Sequence, residues 1–82
     1  MRSLDYTPHF LRGYHKAPDD IRRAVDKQAG LLRENLRHPS LHAKKYDESL
    51  DLWQARVTKD WRFYFKIIGD IYRIEEIQRH PK

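Results

Sequence analysis

Cationic side chains recur at alternate positions in three predicted β-strands of the C-terminal half. These strands cover residues 53–57, 61–67 and 72–74, and their cations are Arg56, Arg62, Lys66 and Arg73. Because successive side chains of a strand point to opposite faces, the cations share one face, and aromatic and aliphatic residues occupy the other. Guanidinium and ammonium groups form charge-assisted hydrogen bonds to phosphate oxygens. The pattern therefore predicts an anion-binding face, with polyanions as the natural candidates.

Two turns determine how these strands would pair. Gly69 and Asp70 suit a two-residue turn with glycine at its first central position, and residues 58–60 suit a three-residue loop. Keeping the apolar residues on one face then places Val57 opposite Trp61. The predicted pairs of the cationic face are Arg56 with Arg62, Lys66 with Arg73, and Tyr64 with Glu75.

Like charges directly opposite each other destabilise a hairpin by a fraction of about 1 kcal/mol. An anion between the cations would offset that cost. The alternative interpretation is that the basic side chains extend into water, which is the commoner case for scattered charges. We favour anion binding, because the like-charged pairing repeats around Tyr64.

The elements that precede these strands predict a single α+β domain over residues 1–82. A short edge strand at residues 3–7 comes first, and Thr7 can cap a helix that has Pro8 in its first turn. A second helix begins after Pro18 and ends before Pro39, since proline disfavours helical geometry in the residue before it. The helices are predicted to cover the aromatic face of a three-stranded antiparallel meander.

Other parts of the pattern are less regular. Residues 41–51 are polar and predict a loop or an irregular extended arm. Simple alternation places Ile77 on the cationic face, so either a bulge near residues 75–76 turns it inward or it belongs to a contact surface. The aromatic residues assigned to the core are Trp53, Trp61, Phe63 and Phe65.

Composition narrows the classes of function. The 82 residues carry a formal charge of +5 and no cysteine, and the calculated pI of about 9.7 favours phosphate-rich partners. No glycine-rich phosphate loop and no histidine spacing typical of metal ligands is present, so we expect no cofactor and no metal. The chain has no apolar N-terminal run or long hydrophobic stretch, so we expect a cytoplasmic protein without a membrane segment.

Three segments in this order are typical of a known family: residues 38–41 (HPSL), 53–57 (WQARV) and 60–65 (DWRFYF). With them the chain resembles the RelE/ParE superfamily of toxins from bacterial type II toxin-antitoxin systems, over nearly its whole length. The resemblance implies a compact, microbial-RNase-like fold. In RelE-type members, the open sheet face enters the ribosomal A site and cleaves messenger RNA without a metal.

In that reaction the 2'-hydroxyl of the substrate attacks the adjacent phosphate, so the protein must stabilise added negative charge and move protons. The resemblance implies that Arg62, the arginine after the turn, stabilises the phosphate with Arg56 beside it. Lys66 and Arg73 would extend this track. Arg62 is expected to face solvent, so that Arg62→Ala abolishes cleavage and leaves the fold intact.

The groups that transfer protons are left open by the resemblance. His80 stands where one RelE-type subgroup, similar to YoeB, has a histidine used in acid/base chemistry, or it is an exposed tail residue. Lys44 joins Arg56, Arg62 and His80 in the expected catalytic set. The further residues expected to contact RNA are Lys45, Tyr64, Lys66, Arg73, Arg79 and, as a weaker candidate, His42.

Two alternatives remain from the sequence. The same fold inhibits DNA gyrase in ParE-type members, and a catalytically silent module could survive as the partner of its antitoxin. The resemblance implies a cognate antitoxin in every case, and ribosome and messenger RNA as partners in the nuclease case. No segment has the pattern of a groove-reading helix, so we expect no sequence-specific DNA binding by this chain.

Overall fold

The computed structural model describes residues 2–80, which form two α-helices, one 3-10 helix and a five-stranded sheet. The strands are β1 (Ser3–Tyr6), β2 (Lys44–Asp47), β3 (Leu52–Thr58), β4 (Trp61–Ile68) and β5 (Ile71–Arg79). The helices are α1 (Pro8–Lys16) and α2 (Asp19–Glu34), and the 3-10 helix is Pro39–Leu41. The strand order is β1-β5-β4-β3-β2, with β1 parallel to β5 and the other pairs antiparallel.

The helix starts follow the sequence prediction. The Thr7 hydroxyl accepts a hydrogen bond from the Phe10 amide at 3.0 Å, and Pro8 opens α1. Asp19 and Asp20 lie in the first turn of α2, where negative charge interacts favourably with the helix dipole. The end of α2 differs from the prediction, because the helix stops at Glu34. Leu36 therefore lies beyond the helix, although it still packs against the core.

The predicted meander of β3, β4 and β5 is confirmed, and the helices cover one of its faces. Phe63, Phe65 and Ile74 are completely buried on that face, together with Phe10 of α1 and Leu32 of α2. Gly69 has a φ of 56°, a left-handed conformation that glycine adopts at little cost, and it closes the turn between β4 and β5.

The segment 41–51, predicted to be a loop or an irregular extended arm, contains the strand β2. This four-residue edge strand pairs with β3, matching Lys44 with Gln54 and Lys45 with Trp53. Its register shifts between Lys45 and Asp47, so Tyr46 lies at a bulge. The sheet therefore extends one strand beyond the predicted meander on this side.

Two irregularities change the predicted register. Trp61 pairs with Thr58 and not with Val57, because the register shifts between Arg56 and Thr58. In the second hairpin the register shifts at the Tyr64 and Phe65 positions, so Tyr64 pairs with Glu76 and not with Glu75. This bulge reverses the alternation of β5 after Ile74.

The bulge in β5 also settles the position of Ile77. Its side chain is only 8% exposed and belongs to the core. Of the two predicted alternatives, the inward rotation is confirmed. Gly13 of α1 lies against this residue, since a Cβ added at Gly13 would come within 2.9 Å of the Ile77 Cγ2 atom.

Candidate functional site

The face of the sheet opposite the core, which we call the outer face, contains a cavity of about 350 Å³ at the β2 end. We call it the cationic cavity. It is lined by His42, Ala43, Lys44, Gln54, Arg56 and Arg62. The lining comes from β2, β3, β4 and the residues after the 3-10 helix, and none of the lining side chains within residues 2–80 is acidic. Three cations from separate sequence segments therefore converge at one place.

Arg56 and Arg62 form the predicted like-charged pair on neighbouring strands. Arg62 is only 8% exposed. Burial lowers the pKa of the Arg62 guanidinium below its usual value, and the positive charge of Arg56 lowers it further. An arginine remains charged at neutral pH despite such a shift. The two side chains thus hold positive charge in a poorly solvated position, which favours binding of an anion.

The expectation that Arg62 faces solvent is wrong. Its Nη1 atom donates hydrogen bonds to the carbonyl oxygens of Thr58 at 2.7 Å, Trp61 at 2.9 Å and Lys59 at 3.3 Å. The guanidinium therefore closes the turn between β3 and β4. It has five N–H donors in all, so a group anchored through Nη1 can still direct other donors towards a ligand.

Arg56 is held differently. Within residues 2–80, its Nε atom is buried and has no hydrogen-bond partner. Its backbone carbonyl accepts a hydrogen bond from Gln28 of α2 at 2.9 Å. Buried donors are normally paired. The Nε atom itself has almost no accessible surface, but Arg56 lines the cationic cavity and adds its positive charge there.

Gln28 is a supporting residue that the sequence analysis missed. Its Nε2 atom also donates to the backbone carbonyl and the hydroxyl of Ser40, both at 3.1 Å. The side chain is 4% exposed. It therefore joins α2, the 3-10 helix and β3 directly beneath Arg56. The available signal was a glutamine in helical spacing with the apolar residues Val25 and Leu32.

The neighbouring lysines of β2 separate onto opposite faces. Lys44 pairs with Gln54 and lines the cationic cavity. Lys45 pairs with Trp53, and its ammonium lies 5.3 Å from the centre of that ring. The Lys45 Nζ atom also lies 2.6 Å from a carboxylate oxygen of Asp51. Lys45 was expected to contact RNA beside Lys44, but it does not share the outer face.

The outer face also carries an aromatic pair. Tyr64 was expected to contact RNA, and it lies on the outer face, but only 4% of the residue is exposed. Its ring centre lies 4.9 Å from that of Tyr46, which is 58% exposed. Burial raises the pKa of the Tyr64 phenol, and the nearby Tyr46 adds to this shift. Tyr46 was missed as a site residue because its segment was predicted to be a loop or an irregular arm, with no register against β3.

Lys66 and Arg73 pair with each other on the outer face as predicted, away from the cationic cavity. The Arg73 Nε atom lies 3.6 Å from a carboxylate oxygen of Asp5 on β1. Lys66 lines a second recess of about 500 Å³, which we call the lateral groove. The lateral groove is lined by Thr7, Pro8, His9, Arg12, Leu50, Leu52, Lys66, Glu75 and Glu76.

Arg79 does not join the other predicted site residues. It pairs with Trp61, whose side chain packs against the core, and lines a recess with Asp20 of α2. The bulge in β5 is the reason. It places Glu76 and Gln78 on the outer face, and it moves Arg79 to the helix-covered side.

His80 is exposed and lies beside the turn that Arg62 closes. Its backbone amide donates to the carbonyl of Asp60 at 2.5 Å. This hydrogen bond continues the pairing of β4 and β5 beyond Arg79. The other candidate histidine, His42, lines the cationic cavity and has a left-handed φ of 46°.

Residues 2–80 contain neither a cluster of metal-binding side chains nor a membrane-spanning helix. No group of three or more histidine, cysteine or acidic residues within residues 2–80 is arranged to hold a metal ion. Over the same residues, no helix is long and apolar enough to cross a membrane.

Comparison with solved structures identifies the class of fold. The YoeB/ParE toxin from Agrobacterium tumefaciens is similar with a TM-score of 0.78 at 12% identity, over 96% of this chain and 99% of that chain. The archaeal RelE-RelB complex from Pyrococcus horikoshii OT3 gives 0.80 at 14%, over 99% and 97%. The E. coli DinJ-YafQ complex gives 0.75 at 20%, over 98% and 94%.

Neither a protein-family model nor the sequence of a curated protein matches the chain. The structural likeness extends over almost the entire length of each chain. The protein therefore has the RelE/ParE toxin fold, as the resemblance of its sequence predicts.

Proposed function

We propose that this protein is the toxin of a type II toxin-antitoxin system and acts as a ribosome-dependent endoribonuclease on messenger RNA. The observation that carries the proposal is the convergence of Lys44, Arg56 and Arg62 on one cavity. That cavity lies on the open sheet face of a chain with the RelE/ParE toxin fold. Fold alone does not determine function, so the argument depends on the site.

The cationic cavity fits the needs of phosphodiester cleavage by the substrate's own 2'-hydroxyl. The attack adds negative charge to the phosphate oxygens in the transition state, and fixed cations stabilise that charge best in a poorly solvated site. Arg56 adds its positive charge to the lining of the cavity, and Arg62 adds a charge that the turn holds in place. Lys44 is exposed and can contact a neighbouring phosphate.

Proton transfer is assigned to histidine. The reaction removes a proton from the 2'-hydroxyl and delivers one to the leaving 5'-oxygen, and imidazole can do both near neutral pH. His42 lines the cationic cavity, and His80 follows β5 beside the Arg62 turn. We assign one step to each without deciding the order. In this proposal no metal takes part.

The proposal includes an antitoxin partner and a cytoplasmic site of action on the ribosome. Two of the similar structures are complexes, of RelE with RelB and of YafQ with DinJ. By analogy, an antitoxin of this protein would cover the cationic cavity, and acidic residues in it would complement the three cations. The proposed toxin is a single domain over residues 1–82.

One observation favours a second candidate, a catalytically silent module that binds its antitoxin. The Arg62 Nη1 atom is engaged by carbonyl oxygens of its own turn. If those contacts hold the whole guanidinium, the cavity retains Lys44 and Arg56 as its phosphate contacts. Inhibition of DNA gyrase, as in ParE-type members, is the remaining alternative if the protein is active but does not cleave messenger RNA.

Primer extension on a defined messenger translated in a purified bacterial system tests the proposal. We expect breaks confined to A-site codons that require the ribosome. Arg56→Ala is expected to slow cleavage by about 10²- to 10³-fold, the loss typical of removing one transition-state donor. Lys44→Ala is expected to weaken cleavage more than Lys45→Ala.

The two lysine variants form a matched pair, because they remove the same charge from adjacent residues on opposite faces. Equal effects of the two substitutions would contradict the assignment of the cationic cavity. An uncut messenger with normal protein synthesis would exclude the nuclease. A gyrase supercoiling assay would then separate the ParE-type activity from the silent module.

A further inference from the structure

The aromatic pair of Tyr46 and Tyr64 stands between the two recesses of the outer face. Tyr64 pairs on one side with Gln54, which lines the cationic cavity, and on the other with Glu76, which lines the lateral groove. Tyr46 follows Lys44 of the cavity by two residues and crosses towards Tyr64. A bound polymer that occupies both the cationic cavity and the lateral groove must therefore pass this aromatic pair.

The exposure of Tyr46 follows from local backbone geometry. The register of β2 shifts between Lys45 and Asp47, and a bulge of this kind changes the direction of a side chain. Its ring rests on Tyr64, yet 58% of the residue remains exposed. Tyr46 is thus an exposed aromatic ring with a buried aromatic ring behind it.

The two recesses differ in chemistry. Every charged side chain in the lining of the cationic cavity is a cation or a histidine. The lateral groove has apolar walls at Pro8, Leu50 and Leu52 and a rim of mixed charge. A phosphate fits the first recess electrostatically, and a flat, largely apolar base with polar edges fits the second.

We propose that Tyr46 stacks on an unpaired nucleobase of RNA whose adjacent phosphate lies in the cationic cavity, and that this base points into the lateral groove. The inference rests on the proposed function and names the form of its substrate as single-stranded RNA. Stacking on an aromatic ring requires a base freed from its helix. Tyr64 supports the Tyr46 ring and does not contact the base.

The test measures binding of a short, labelled RNA that carries 2'-O-methyl groups, which prevent attack by the 2'-oxygen. A series of these oligonucleotides has one base removed at each position in turn. With the wild-type protein, we expect one position at which loss of the base weakens binding by about 5- to 150-fold. For Tyr46→Ala the same loss should have no effect, because the ring that the base contacts is gone.

Three variants serve as controls. Tyr46→Phe keeps the ring and should bind like the wild type. Tyr6→Ala removes another partly exposed tyrosine, which stacks on Phe10 on the helix side, and should leave the effect of base removal unchanged. Lys44→Ala should weaken binding of intact and base-free oligonucleotides by the same factor. Circular dichroism confirms that each variant is folded.

Two results would overturn the inference. One is an equal loss of affinity for intact and base-free RNA in Tyr46→Ala, and the other is no binding of the oligonucleotides to the wild-type protein. The inference and the proposed function can fail separately. If base removal weakens binding only when the Tyr46 ring is present, but the messenger is not cleaved, the protein has an RNA-binding site and is not a nuclease. If the messenger is cleaved but base removal has the same effect with and without the ring, only the role of Tyr46 is rejected.

Discussion

The two faces of the sheet are built from alternate residues of the same strands, but they bury their side chains by different means. On the covered face, Phe63 and Phe65 pack against the helices and are completely buried. On the outer face, opposite the helix-covered side, Arg62 and Tyr64 are 8% and 4% exposed. Turn carbonyls engage the arginine, and Tyr46 from the edge strand covers the tyrosine. The outer face therefore has its own packed side chains and is not simply a solvated surface.

The two faces are expected to differ most in how much their side chains contribute to the free energy of unfolding. Phe65 has ring contacts with Trp53, Phe63 and Tyr72 at centre distances of 5.7 to 6.1 Å. Phe65→Ala removes these contacts and should lower the free energy of unfolding by about 3–5 kcal/mol. Chemical denaturation followed by circular dichroism measures this change.

The neighbouring residue is the matched control, because Lys66 points to the opposite face of the same strand. Lys66→Ala should change the free energy of unfolding by less than about 0.5 kcal/mol. Phe65→Leu keeps part of the apolar volume and gives a measurable value if Phe65→Ala does not fold. Equal losses for Phe65→Leu and Lys66→Ala would show that the two faces do not differ as described.

Arg62 should show an intermediate effect, because it belongs to the buried part of the outer face. Its hydrogen bonds to Thr58 and Trp61 tie the ends of β3 and β4 together. We expect Arg62→Ala to lower the free energy of unfolding by about 1–3 kcal/mol, the range for a charged donor lost from a buried position. Denaturant titration of the purified variant checks this value.

Arg73→Ala is the control for Arg62→Ala. Arg73 is also an outer-face arginine, but its side chain is 44% exposed and its partner Asp5 is exposed as well. Exposed ion pairs contribute about 0–1 kcal/mol, so this substitution should be nearly neutral. If the two arginine variants were equally stable, the Nη1 contacts of Arg62 would be of no structural consequence. Any loss of cleavage in Arg62→Ala must be corrected for the fraction unfolded.

The meander could be predicted from the sequence because its signals are local. Alternation in residues 61–67 and the glycine turn at Gly69 fix the register of the second hairpin up to Ile74. Both helix starts were likewise encoded by Thr7 and Pro18 within a few residues. Arg56 and Arg62 were brought together by the same reasoning.

The remainder depended on contacts that a local pattern does not encode. The strand β2 is short and polar, and its pairing is set by its partner β3. One bulge in β5 moved Ile77 and Arg79 to the covered side, and alternation alone does not say where a bulge occurs. The burial of Arg62 depends on a guanidinium folding back onto its own turn. Its side chain was therefore expected, wrongly, to face solvent.

The smallest expected effect concerns the pH dependence of stability. Burial raises the pKa of Tyr64 above that of an exposed tyrosine, and the nearby Tyr46 and Glu76 add to the shift. The folded protein therefore keeps this proton more tightly than the unfolded chain. The associated stability is fully present below about pH 10, the pKa of tyrosine in the unfolded chain, and is lost as the pH rises through the folded value.

We expect the free energy of unfolding to fall less steeply above about pH 10 in Tyr64→Phe than in the wild type. Tyr6 and Tyr14 also have raised pKa values, through burial and through a hydrogen bond to Asp26 respectively, so a residual slope should remain. Denaturation of both proteins at several pH values measures the difference. In a Tyr46→Ala background, the difference made by Tyr64→Phe should be smaller, because Tyr64 then loses the ring that covers its own ring. Parallel curves for wild type and Tyr64→Phe would mean that water reaches the Tyr64 hydroxyl, and the packing assigned to the outer face would then be wrong at its centre.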